Sequence, residues 1–158
     1  MESYSLDSNN WVGILLRLGL ALTMGGAIGW NRQRRHKPAG LRTHMLISIG
    51  AALFVLIPLH SSVHSGDAAS RAIQGVATGV GFLGAGEILH LSRSNSSNPK
   101  VTGLTSAAST WVTAALGIAS GWGWWQLAVS GTVMTLMTLG FIKMLEESSF
   151  VRLDNGDD

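Results

Sequence analysis

From Trp11 onward the chain is written in long apolar runs separated by short polar breaks. Neither the strict alternation of a half-buried strand nor the one-sided stripe of a soluble amphipathic helix is present. "LISIGAALFVLI" and "LAVSGTVMTLMTLGFI" have no polar face on which water could settle. Five such segments can be marked, 11–30, 41–59, 71–90, 103–120 and 124–142, each near the roughly 20 residues that cross a hydrocarbon core of about 30 Å. The pattern therefore predicts an all-α integral membrane protein, a compact bundle of five transmembrane helices. Residues 1–10 form a short external segment, 11–143 the membrane domain, and 144–158 a short tail.

Composition agrees with that pattern. Only 13% of the 158 residues are Asp, Glu, Lys or Arg, about half the usual soluble share. The 20 glycines fall inside apolar runs, as membrane helices tolerate. Met1 to Asn10 carries Glu2 and Asp7 and no base, which is not the basic start of a cleaved signal. The absence of cysteine excludes disulfides, thiolate metal sites and cysteine nucleophiles.

The cations set the orientation. Arg32, Arg34, Arg35, Lys37 and Arg42 follow the first span, Arg93 and Lys100 lie between the third and fourth, and Lys143 and Arg152 follow the fifth. Cations in short loops mark the cytoplasmic side, so the N-terminus is expected outside and the C-terminus in the cytoplasm of a multi-pass inner (plasma) membrane protein. Trp11, Trp30, Trp122, Trp124 and Trp125 fall at span ends, where amphipathic rings favour the interface.

Glycines four apart, Gly25/Gly29, Gly75/Gly79 and Gly117/Gly121, each leave a bare strip on one helix face where a neighbouring backbone can approach. "GVGFLG", Gly79 to Gly84, matches a dinucleotide-binding spacing in form, but no strand precedes it and no βαβ unit surrounds it. So many glycines could also break the third helix, which at membrane depth requires burial in protein or a watery cavity. The intramembrane charges are Arg17, expected to snorkel outward, and Glu87. Glu87 lies level with the basic loop, so an ion pair with Arg42 is expected; a hydrated cation or a proton path is the alternative. In "HSSVHSGDAAS", His60, His64 and Asp67 read as a solvated outer loop, and "RSNSSNPK" as a mobile linker. No nucleophile constellation, paired carboxylates or metal-ligand set is visible, so an enzyme is not expected. Nor is a nucleic-acid partner or an organic cofactor, and no metal site is assigned.

"GGAIGWNRQRRHKP", "AGLRTHMLISIGAALF", "GVGFLGAGEIL" and "VTGLTSAASTWVTAALGIASGWGWW" occur in that order and resemble the MgtC/SapB family of bacterial inner-membrane proteins, over about Leu15 to Leu139. Many members add a soluble cytoplasmic domain after the last helix, and this chain is expected to lack it. The resemblance implies a role in growth or homeostasis at low magnesium and a link to virulence in pathogens. It also implies regulation through contact with another membrane protein, the ATP synthase membrane sector being one candidate; the alternative is transport of Mg²⁺ or another cation with Glu87 in the path. Functional candidates on the matching motifs are Arg32, Gly40, Leu41, Arg42, Thr43, His44, Gly84, Gly86 and Glu87. Asn31 stands where the family commonly has Glu, which weakens cation coordination by the first loop. The expected partners are the lipid bilayer, a membrane protein and a second copy of the chain.

Overall fold

The computed structural model describes residues 11–60, 65–91 and 103–147, and among these the only regular elements are five helices. They are α1 (Trp11–Arg34), α2 (Leu41–His60), α3 (Ser65–Leu91), α4 (Leu104–Trp122) and α5 (Trp125–Glu147). Each apolar run of the sequence is a helix. The largest difference is at α3, which starts six residues before the expected span. Asp67 in its first turn suits the positive end of the helix dipole, so the stretch read as loop is the opening of a helix. His60 is likewise the last residue of α2; His64 and the "RSNSSNPK" stretch lie outside the described residues. Despite its glycines α3 runs unbroken for 27 residues.

Helix ends are closed by local chemistry. At the end of α1, the Lys37 N–H bonds the Arg32 carbonyl and the His36 N–H that of Gln33, a six-to-one and five-to-two pair with His36 left-handed at φ 51°. The same pair closes α4, where Trp124 bonds Ala119 and Gly123 bonds Ser120, with Gly123 at φ 90°. Gly needs no Cβ there; His36 accommodates that conformation with a side chain. The turn leaves so little chain that α4 and α5 must run antiparallel. At the start of α2, the Gln33 Oε1 accepts the Leu41 N–H at 3.1 Å, tying the end of α1 to the start of α2.

Packing puts α4 at the centre: it touches α1, α2, α3 and α5, whereas α3 meets only α2 and α4, and α5 only α1 and α4, among the described residues. Close approach depends on small residues. A Cβ on Gly25 would lie 2.6 Å from the His44 carbonyl oxygen, and one on Gly29 2.8 Å from Leu41 Cα. From the other side a Cβ on Gly121 would lie 2.7 Å from the Ala52 carbonyl oxygen, and one on Gly117 would strike the Ser48 backbone. Helix α2 is thus gripped between α1 and α4 through bare glycine faces.

The interior is the reverse of a soluble core. The largest fully buried side chains are Ile28, His44, Val55, Thr110, Thr113, Ser48 and Ser120, while Phe82 is 81% and Leu46 70% exposed. Small and polar groups inside with large apolar groups outside is what an apolar surrounding medium selects. Two helices, α1 and α2, are by themselves long and apolar enough to cross a membrane, each with mean hydropathy 1.7. The hydroxyls of α4 and the glycines, Gln74 and Arg71 of α3 dilute those helices.

Candidate functional site

Four helices deliver polar side chains to one end of the bundle. Arg32 comes from the last turn of α1, His44 from the first turn of α2, Glu87 from the last turns of α3, and Ser106, Ser109 and Thr110 from the start of α4. The α4 residues recur three and four apart, so a single helix face presents all three hydroxyls. That face continues through Thr113 and Ser120, both fully buried.

Arg32 is 3% exposed, and its Nη2 donates to the Ser106 Oγ at 2.7 Å. Its Nε has no hydrogen-bond partner. His44 is fully buried: Nδ1 lies 2.9 Å from the Gly40 carbonyl and Nε2 3.3 Å from the Ser109 Oγ. A carbonyl can only accept, so Nδ1 carries a proton. The Ser109 hydroxyl also lies 2.8 Å from the Ser106 carbonyl, and its single hydrogen serves either that oxygen or His44 Nε2. The Thr110 hydroxyl donates to Glu87 Oε1 at 3.0 Å, whereas Oε2 is buried without a partner.

The expected ion pair is not the one formed. Arg42 is exposed on α2, and no Arg42 to Glu87 pair occurs among the described residues; Glu87 instead acts electrostatically on Arg32 and His44. The reason is helix phase: Arg42 lies two residues before the buried His44, so it is turned off the face that meets α4. Arg17 reaches toward the end of the bundle at which α1 begins and α4 finishes. Its Nη1 donates to the Gly121 carbonyl at 3.0 Å, placing a cation at the negative end of α4.

The remaining candidates divide by position. Gly40 supplies the His44 acceptor, Leu41 donates to Gln33, and Gly84 is buried where an added Cβ would lie 3.2 Å from the Ala107 Cβ. Thr43 and Gly86 line an open groove of about 350 Å³ with Glu87 and Thr110. Asn31 is half-buried with its Oδ1 unpartnered. Gly75 and Gly79, expected to pack, have nothing within 4 Å of a Cβ. Sequence reasoning missed Gln33, Ser106, Ser109 and Thr110. The available signal was the spacing of hydroxyls along one side of an otherwise apolar run. Among the described residues, no three of His, Cys, Asp and Glu gather where they could hold a metal ion.

The family model described as the MgtC family matches residues 18–148. Protein SrpB of Synechococcus elongatus is 48% identical over 96% of this chain and 87% of its own length. The Escherichia coli K12 protein carrying the name "Putative magnesium transporter YhiD" is 47% identical over 79% of this chain. Protein MgtC of Brucella abortus is 39% identical over 79% of it. The match spans 58% of YhiD and 49% of the Brucella protein. No solved structure matches.

Proposed function

The chain belongs to the MgtC family, and from that premise we propose that it is a five-span inner-membrane protein of magnesium homeostasis. In this reading the N-terminus is outside and the C-terminus cytoplasmic. It acts as a regulator by docking a helix of another membrane protein. The observation that carries this is the outward strip of α3. Gly75, Gly79 and Gly86 are exposed, and a Cβ on any of them meets nothing within 4 Å among the described residues, while Gly25 and Gly29 of α1 and Gly117 and Gly121 of α4 are consumed by internal packing. A bare strip facing lipid loses dispersion contacts that a partner backbone restores.

Transport is the second reading, favoured by the unpartnered Oε2 of Glu87 beside the groove that Thr43 and Gly86 open. Against it stands the buried Arg32 cation, which shares the cluster with Glu87 and repels Mg²⁺. A Cβ on Gly79 meets nothing within 4 Å among the described residues, so Gly79→Leu should insert and fold normally yet lose its membrane-protein partner on mild extraction. Co-purification equal to wild type would remove the docking reading. Dye-loaded liposomes carrying the purified protein test the other: magnesium entry that disappears in Glu87→Gln would establish transport.

A further inference from the structure

Directly beside the polar cluster lies a groove whose chemistry is not that of a cation site. It has a volume of about 340 Å³ and is lined by Arg32, His36, Lys37, Gly103, Thr105 and Ser106 among others. A larger groove of about 840 Å³ shares Arg32, His36, Lys37 and Thr105 and adds Arg34 and Arg35. Among the described residues no carboxylate lines either one. Glu87, the acid that acts on Arg32, lines a separate groove with Thr43 and Thr110.

Two independent features converge there. The first is the N-terminus of α4. Gly103, left-handed at φ 95°, is its N-cap and brings no side chain to cap the helix. The first N–H groups of a helix have no internal acceptor, and a 19-residue helix brings the positive end of its dipole to the same place. The second is Arg32. Its guanidinium is held beneath that first turn by the bond to Ser106, it is 97% buried by its 3% exposure, and its Nε is unpartnered. Glu87 acts on that cation from the neighbouring groove, yet a buried guanidinium with an unpartnered nitrogen still gains from a further acceptor. The left-handed His36 bends the chain so that Lys37 returns to the same wall.

We infer that this groove binds a phosphate group, held by the first N–H groups of α4, the Thr105 hydroxyl, Lys37 and the charge of Arg32. Helix N-termini bind phosphate through this combination of donors and dipole, and guanidinium groups match phosphate geometry. A phosphodiester of an anionic lipid headgroup and a soluble phosphate present the same oxygens. The site is separate from the α3 strip and does not depend on the docking reading.

The test uses the full chain purified in a maltoside detergent, which contains no phosphate. Inorganic phosphate is titrated at constant ionic strength against chloride, with thermal unfolding as readout. Phosphatidylglycerol is added to the micelles in a second arm, with retained lipid read by native mass spectrometry. Thr105→Glu fills the groove with a tethered carboxylate at a position that welcomes one, so it should melt no lower than wild type; Lys37→Gln removes an exposed cation and leaves the buried bond intact. Phosphate that raises the unfolding temperature of wild type, with affinity at least tenfold weaker in both variants, supports the site with a soluble ligand. Silence toward phosphate, with phosphatidylglycerol retained by wild type and lost from both variants, supports it with a lipid ligand. Equal responses of wild type and Thr105→Glu, a chloride response equal to the phosphate one, or no response to either probe would overturn it.

Discussion

The Arg32 to Ser106 bond makes the cluster a matter of single atoms. Ser106→Ala would leave the guanidinium without its one observed hydrogen-bond acceptor, so it should destabilise the purified protein by about 1–2 kcal/mol, near the upper end for interhelical polar contacts in membranes. Thermal unfolding in detergent measures this, and Thr105→Ala, on an exposed neighbour, serves as the control that should change little. At this scale the sequence was only partly legible. Arg32, His44 and Glu87 stand out because charge and imidazole are rare in apolar runs. Their partners do not, since Ser and Thr are unremarkable in membrane helices until their phase is known. Arg42 was the wrong choice for Glu87 because loop proximity ranks cations by sequence distance, whereas helix phase decides which one turns inward.

For the helices, the glycines separate into two kinds that sequence alone treats alike. Gly117 stands against the Ser48 backbone, and Gly79 faces open space. Gly117→Ala forces α4 and α2 apart and should cost about 1–3 kcal/mol, the usual range for overpacking. Gly79→Ala should be neutral or slightly stabilising, because Ala is the better helix former by about 1 kcal/mol. Unfolding of the two variants in one detergent compares them directly, and equal losses would contradict the packing described. The five helices themselves were readable from run length and hydropathy. The early start of α3 was not, since Ser65 to Ser70 carry turn-forming residues and become helical as the N-terminal extension of a long apolar segment.

For the molecule as a whole, the expected orientation gives a direct test. The chain has no cysteine, so one introduced at Ser62, between α2 and α3, should react with an impermeant maleimide in intact cells; reaction only after lysis reverses the orientation. The central place of α4 was not foreseeable from hydropathy, which singles out α1 and α2. Its clue is the hydroxyl face, because a helix surrounded by helices keeps polar groups that a lipid-facing one would not.

That central place has a bearing on biogenesis. The helix that touches all the others is the fourth to leave the ribosome. Until it arrives, α1 has only α2 for company, Arg32 lacks Ser106, His44 lacks Ser109, and Glu87 lacks Thr110. The growing chain therefore passes through a stage in which three ionisable groups lack their partners from α4, and a nascent protein halted before Leu104 should be a target for quality control, whereas one halted after Trp122 has its spine in place and waits only for an outer helix.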